Sequence, residues 1–299
     1  MPALSVAIPT YRREQVLIDT IRYLLPLIGQ GDELLVVDQT PRHGPEVEAQ
    51  LSAWQQDGAI RWLRRAEPSI PKAMNQALLA ARHPVVVFFD DDIRPEPDIM
   101  DAFRQAVAER PGDLIAGRVI QPWEEGMDFR SLPPSRFAGL HAGARTEFMG
   151  GNFALPRTEA LRLGGFDENF VRVAYRFEAE FAHRWLRAGR AIWFAPRATI
   201  HHLKAGDGGT RTFGEHLATA QPDHAVGAYY YALRTRVGAA LVVALLGRLG
   251  RSVATRYHLR HPWRVPTTLL AEVRGLAWAL RLARQGPAYA APVDGDPFG

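Results

Sequence analysis

The chain contains no cysteine in 299 residues. Disulfides, thiolate zinc sites, iron–sulfur clusters and a cysteine nucleophile are thereby excluded, and a reducing compartment fits. The N-terminus, "MPALSVAIPTYRR", lacks a basic segment leading into an apolar region of signal length, and its apolar run reads as a first strand. The expected location is cytoplasmic. Long apolar runs are also missing: "VGAALVVALLG", Val237 to Gly247, falls short of the roughly 17–25 residues a spanning helix needs. Carboxylates are scarce towards the C-terminus, where Glu272 stands alone between Tyr229 and Gln285 among many arginines. The net charge is +4, so the rest of the chain is net acidic. There is no internal repeat and no low-complexity tract.

What is present is ordinary globular composition, 47% hydrophobic and 23% charged, with room for a sizeable core. Periodicity predicts alternating units over the first two thirds. "LSVAIPT", "ELLVVD" and "VVVFFD" read as buried strands and "AIRWLRR" as a further strand. Helices are expected over Gln15–Leu27, Ser52–Gln56, Pro71–Ala81 and Pro97–Ala108. Near-continuous apolar strands alternating with helices predict an α/β fold with a mainly parallel sheet covered on both faces. After Gly117 the pattern changes. Leu132–Ala144 reads as a loop, "FMGGNFALP" as a strand carrying a double glycine, Glu178–Ala188 as a helix, and "AIWFAP" as a strand. Beyond Asp223 only helical patterns remain. The expected division is a catalytic unit over 1–222 and a basic, amphipathic helical extension over 223–299.

In open α/β sheets, ligands sit beyond the carboxyl ends of the strands. Three strand ends here carry polar residues: Thr10-Tyr11, Asp38, and Asp90-Asp91-Asp92. Three adjacent carboxylates repel one another unless something cationic lies between them. An Asp-x-Asp arrangement offers hard oxygen ligands of the kind Mg²⁺ or Mn²⁺ prefers, usually shared with substrate phosphates. The plainer reading is a strand-end turn with helix-capping aspartates.

Order distinguishes these readings. "VAIPTYRR", "LLVVD", "NQALLAARHPVVVFFDDDIRPEP", "GGNFALPRTEALRLGGFDENF" and "FEAEFAHRWLRAGRAIWFAPRATIHHL" follow one another as in the family 2 glycosyltransferases, and over roughly residues 3–211 the chain resembles that family. The resemblance implies a GT-A, Rossmann-like fold and inverting, metal-dependent transfer from a nucleotide-diphosphate sugar. It implies that Pro9, Thr10, Tyr11 and Asp38 hold base and ribose. Asp90 would lie towards the ribose and, with Asp92, on the Mn²⁺ or Mg²⁺ that bridges the diphosphate, Asp91 would lie beside them, and His202 would be a further metal or diphosphate ligand. Lys72 or Asn75 would touch phosphate, and Gly150, Gly151 and Asn152 would let backbone approach the donor sugar. Glu178 is the expected catalytic base and Glu180 its rival. Arg211, in "GDGGTR", either closes over diphosphate or belongs to a flexible linker. The chain departs from the family pattern at Arg12, Gln39, Met74 and Phe177.

The C-terminal arginines and the stripe Leu269, Leu270, Val273, Leu276, Ala277 and Leu280 suit an anionic membrane surface, hence a lipid-linked or other glycan acceptor and a peripheral place on the inner face of the cytoplasmic membrane. The helical stripe also suits packing on the catalytic unit or on a second copy in a homo-oligomer, and is read that way, while the arginines are read as facing a membrane. No recognisable module accompanies the charge, so no nucleic acid is expected. Two other functions share the architecture: sugar-phosphate nucleotidyl transfer, disfavoured because no glycine-rich phosphate loop follows "VAIPT", and nucleotide binding by a degenerate relative.

Overall fold

The computed structural model describes residues 2–133, 135–209 and 217–290. The elements in chain order are β1 (Ser5–Thr10), α1 (Gln15–Leu24), β2 (Glu33–Asp38), α2 (Pro45–Gln56), β3 (Arg61–Arg64), α3 (Ile70–Ala80), β4 (Val85–Phe89), β5 (Ile93–Pro95), α4 (Ile99–Glu109) and β6 (Leu114–Ile120). They continue with β7 (Gly143–Arg145), β8 (Asn152–Pro156), α5 (Arg157–Arg162), α6 (Phe177–Arg187), β9 (Ile192–His202), α7 (Val226–Thr235), α8 (Gly238–Val253), α9 (Arg256–Arg260) and α10 (Val265–Gln285).

One sheet runs in the order β3-β2-β1-β4-β8-β6-β9-β5, with β7 added on β9. The four strands β3, β2, β1 and β4 are parallel, as the apolar runs predict. β8 then joins β4 and β6 antiparallel, while β6 and β9 are parallel to each other. The sheet is thus parallel in its first half and mixed in its second. Apolar side chains cover both faces in two clusters. One includes Leu17, Ile21, Leu51, Ile99 and Phe103 from α1, α2 and α4. The other takes Met74, Leu78, Phe181 and Trp185 from α3 and α6, and also Val226, Tyr230, Ala279 and Leu282 from α7 and α10.

Local chemistry sets the boundaries. α1 stops at Leu24 and tightens into a 3-10 turn over Leu25–Leu27, where Pro26 removes a backbone donor. α2 starts at Pro45, well before the expected Ser52, because a proline in the first turn forfeits only a donor that has no helical partner. β6 escaped the sequence reading, and β9 runs past Pro196 to His202. The two pair through a register shift between Gly117 and Arg118 that leaves Pro196–Ala198 looped out. That irregular pairing carries His202 to the same rim as the end of β4.

Candidate active site

A cleft of about 850 Å³ opens at the carboxyl ends of the parallel strands. Pro9, Thr10 and Tyr11 enter it from the end of β1, Asp90–Asp92 from the end of β4, Gly150 and Gly151 from the turn before β8, Glu178 from the first turn of α6, and His202 from the end of β9. These predicted residues meet from widely separated parts of the chain.

The acidic triplet divides its work. Arg13, which the sequence reading passed over, is almost wholly buried between two of its members. Its Nε donates to Asp91 Oδ1 at 3.2 Å and its Nη2 to Asp92 Oδ2 at 3.2 Å. Part of the repulsion expected among three carboxylates is therefore relieved by an internal cation. Burial pushes the Asp91 carboxyl up to about 7 despite Arg13. Burial would raise Asp92 too, but His202, Arg13 and the Ala205 N–H, which donates to Oδ2 at 2.9 Å, outweigh it and hold that carboxyl below its ordinary range.

Asp90, Asp92 and His202 offer ligand atoms that all lie within 4.8 Å of one another. His202 Nε2 is 3.2 Å from Asp92 Oδ1 and 3.9 Å from Asp90 Oδ2. On its other side, Nδ1 is 3.0 Å from Gln121 Oε1. An amide oxygen can accept the Nδ1 proton and fix the ring, so that Nε2 faces the two carboxylates; there it donates to Asp92, and it is the nitrogen that would ligate a cation once that proton is displaced. Two oxygen donors and one imidazole nitrogen fit Mn²⁺ or Mg²⁺.

The tandem glycines leave room for the carboxylates on either side. A β-carbon at Gly151 would lie 2.0 Å from Asp90 Oδ2, and one at Gly150 would lie 2.9 Å from Glu178 Oε1. Glu178 projects from a helix whose preceding residue, Arg176, has a positive φ of 75°. Two more left-handed residues, Arg172 and Ala174, precede it. Such backbone costs on the order of 1–3 kcal/mol per residue and persists only where packing enforces it. α7 packs directly on this turn: a β-carbon on Gly227 would fall 2.4 Å from the Tyr175 carbonyl oxygen.

Other predicted residues stand outside the cleft lining. Glu180 is completely buried in a two-pronged pair with Arg184, Nε to Oε1 at 2.8 Å and Nη2 to Oε2 at 2.9 Å. Asp38 is completely buried, receiving the Thr40 N–H at 2.8 Å and the Trp62 indole N–H at 2.9 Å, and facing His43 Nε2 at 2.7 Å. Burial pushes the Asp38 carboxyl up, but His43 and Thr40 outweigh it and lower it; burial pushes His43 down, but Asp38 and Glu14 outweigh that and raise it. Gln39, the neighbour that departs from the family pattern, reaches the cleft instead. Lys72 pairs with Glu67 at 3.1 Å. Asn75 clamps the Phe166 backbone, donating to its carbonyl and accepting from its N–H, both at 2.8 Å. Asn152 donates to the Arg118 and Ala198 carbonyls at 2.8 Å each, tying β8 across the β6–β9 irregularity. Arg211 lies outside the described residues. Besides Arg13 and Gln39, the cleft gains Trp123 and Lys204, whose ammonium sits 4.0 Å above the Trp123 ring. The paired arginines after β1 were the one available sequence signal, a cation placed opposite an acidic strand end.

Comparison with known proteins supplies the context. The model of the Glycosyl transferase family 2 matches residues 5–165, more than half of the chain. No curated protein matches in sequence. Among solved structures, the mannosyltransferase PcManGT from Pyrobaculum calidifontis, in complex with GDP-Man and Mn²⁺, is 20% identical over 95% of this chain and 79% of its own, with a TM-score of 0.57. S. aureus TarS 1–349 in complex with UDP-GlcNAc is 14% identical over 98% of this chain and 100% of its own, with a TM-score of 0.58. GalNAc-T7 with UDP, GalNAc and Mn²⁺ is 12% identical with a TM-score of 0.55; the match covers 78% of this chain and 51% of GalNAc-T7, about half its length. At these identities the likeness establishes a shared fold.

Proposed function

Because the chain belongs to glycosyl transferase family 2, we propose that this glycosyltransferase moves a sugar, with inversion, from a nucleoside-diphosphate sugar to an acceptor hydroxyl, using Mn²⁺ or Mg²⁺. The observation that carries the reading is the arrangement around Gly150-Gly151, where Asp90 of the candidate metal group packs on one glycine and Glu178 on the other. A donor and an acceptor set between them would meet a charge-neutralising group on one side and a proton acceptor on the other. The ligands of PcManGT, TarS and GalNAc-T7 support the choice of donor class and cation.

Asp90, Asp92 and His202 would hold the cation, which when bound offsets the negative charge developing on the departing diphosphate. The chain's own residues do the rest. Gln121 fixes the His202 ring, and Arg13 keeps Asp92 ionised and in place. Pro9, Thr10, Tyr11 and Gln39 line the side where base and ribose would lie, with Asp38 acting from behind by fixing the turn after β2. Gly150 and Gly151 let the sugar approach the backbone, as no side chain intervenes. Glu178 takes the acceptor proton: its carboxylate accepts H⁺ as the acceptor oxygen bonds to the anomeric carbon. The bond from that carbon to the β-phosphate oxygen breaks on the opposite face, and the nucleoside diphosphate leaves with the electron pair. Glu180 is occupied by Arg184, which leaves Glu178 as the carboxylate of this helix turn open to the cleft.

The catalytic unit is taken as 1–222 and the helical extension as 223–299. The extension supports a peripheral membrane position and a lipid-linked or other glycan acceptor. No helix among the described residues is long and apolar enough to cross a membrane, yet α8 exposes Val242, Val243 and Leu246, and each arginine near an anionic surface contributes about 1 kcal/mol.

The test is release of nucleoside diphosphate from a panel of nucleotide sugars with Mn²⁺ present. The reading predicts release that is lost in Asp92→Ala and in Glu178→Gln. Pyrophosphate release from a nucleoside triphosphate would instead indicate nucleotidyl transfer. Nucleotide binding without turnover, unaffected by Glu178→Gln, would indicate a binding protein.

A further inference from the structure

A second cavity, of about 620 Å³, lies between α7, α8 and α10, within the size range of small-molecule sites. It adjoins the active cleft: Glu147, Tyr175 and Arg176 line both, and Arg176 is the N-terminal cap of the helix that bears Glu178. The two cavities therefore share a wall that carries the start of the Glu178 helix.

The walls of the cavity specify what it would hold. Among the described residues its carboxylates are Glu147 and Glu272, and each already faces an arginine. Arg176 Nη1 is 3.4 Å from Glu147 Oε1, and Arg248 grips both oxygens of Glu272 at 2.8 and 3.0 Å. Two further arginines on the lining, Arg236 and Arg251, have no carboxylate partner among the described residues. The Arg236 guanidinium rests over the Tyr231 ring at 5.6 Å. Arg251 folds back along α8 against Gly247, which leaves it room by having no side chain. An excess of two guanidinium groups in a concave site favours an anion, and a guanidinium matches phosphate geometry. The lining is apolar towards the start of α8, where Ala240, Val243 and Ala244 precede Arg251 on the cavity side of the same helix, and that helix also exposes Val242 and Leu246.

We propose that this cavity is the acceptor site, and that the acceptor is an anionic amphiphile: a hydroxyl-bearing headgroup with a phosphate held by Arg236 and Arg251, and an apolar chain laid along α8. The assignment rests on the transferase reading above, because it is Glu178 that gives the adjoining cleft its acceptor side. The cavity would extend the acceptor side of the cleft, holding the phosphate and the apolar chain of the molecule whose hydroxyl meets Glu178.

The probe is decyl phosphate below its micellar concentration, titrated into the full chain alongside inorganic phosphate and decyl maltoside. Decyl phosphate is expected to bind at least tenfold more tightly than either control, and at least tenfold more weakly to the Arg236→Gln/Arg251→Gln double variant. Ala240→Trp, which fills the apolar wall at an exposed position, is expected to weaken it similarly. Undetectable binding of decyl phosphate, equal binding of decyl maltoside, equal binding of inorganic phosphate, or undiminished binding by the double variant would each overturn the proposal. Mn²⁺-dependent binding of a nucleoside diphosphate, measured on the same preparations, reports separately on the transferase reading. Its loss in the wild type would remove that reading, and its retention without decyl phosphate binding would remove only the acceptor cavity.

Discussion

The carboxylate of Glu178 lies against the backbone of Gly150, so close that a β-carbon there would sit 2.9 Å from Oε1 and 3.1 Å from Cγ. Gly150→Ala should therefore push the Glu178 side chain aside without removing it. Since misplacement of about 1 Å can cost up to about 100-fold, kcat should fall by roughly 10- to 100-fold while the donor KM changes little. Glu178→Gln should lower kcat by roughly 10²- to 10⁴-fold. Steady-state kinetics on both variants decides; an unaltered kcat in Glu178→Gln would remove Glu178 from the mechanism.

Glu180 gives the opposite expectation. Its pair with Arg184 is fully buried, and Arg184 also donates to the Gly165 carbonyl at 2.9 Å. Removing one partner of such a pair typically costs about 3–5 kcal/mol. Glu180→Gln should lower the denaturation midpoint strongly, while the molecules that remain folded at low temperature turn over at close to the wild-type rate. Rate loss without destabilisation would show that Glu180 takes part in the chemistry.

Asn75, expected at phosphate, stands outside the cleft lining. Its amide holds Phe166, and Gly165 must be glycine because a β-carbon would lie 2.4 Å from Asn75 Oδ1. Asn75→Ala should cost about 1–3 kcal/mol by leaving buried polar backbone unpaired, with nucleotide affinity retained. Urea denaturation and nucleotide titration, run together, separate the two roles. A large loss of affinity at unchanged stability would return Asn75 to the phosphate site.

His43 carries a pH dependence. Burial lowers its pKa, but Asp38 and Glu14 outweigh that and raise it above the ordinary histidine value. A proton held more tightly in the folded state stabilises that state fully below the unfolded pKa, near 6.5, and the contribution disappears as pH rises through the folded value. The gap in Tm between wild type and His43→Gln should therefore be wider at pH 6 than at pH 9. An equal gap at both would mean that the proton contributes nothing.

The parts of the fold legible in the sequence are those fixed by local pattern. β4 is apolar throughout, and β1 and β2 are apolar between their polar ends, because the sheet is covered on both faces, and the acidic triplet marks the end of β4. β6 was missed because Gly117-Arg118 interrupts its run where the pairing with β9 shifts, and β9 was cut short at a proline the sheet loops out. Asp90, Asp92, His202, the glycine pair and Glu178 were legible as an ordered set. The partners that withdraw Glu180, Asp38, Asn75 and Asn152 from the cleft were not. Asn75 meets Phe166, and Asn152 meets the carbonyls of Arg118 and Ala198, across the sequence. Glu180 meets Arg184 only four residues on, yet spacing alone does not say that the pair is buried. Arg13 was overlooked because an arginine after a strand reads as solvated until the carboxylates of β4 are folded over it.

The account stands on Asp90, Asp92 and His202 holding a divalent cation that retains a nucleoside diphosphate. The most direct measurement is electron paramagnetic resonance titration of Mn²⁺, with UDP and then GDP present, on wild type and Asp92→Ala. The account predicts saturable Mn²⁺ binding that tightens with one of the two nucleotides and is lost in the variant. Identical Mn²⁺ titrations for the two proteins, with either nucleotide, would contradict it.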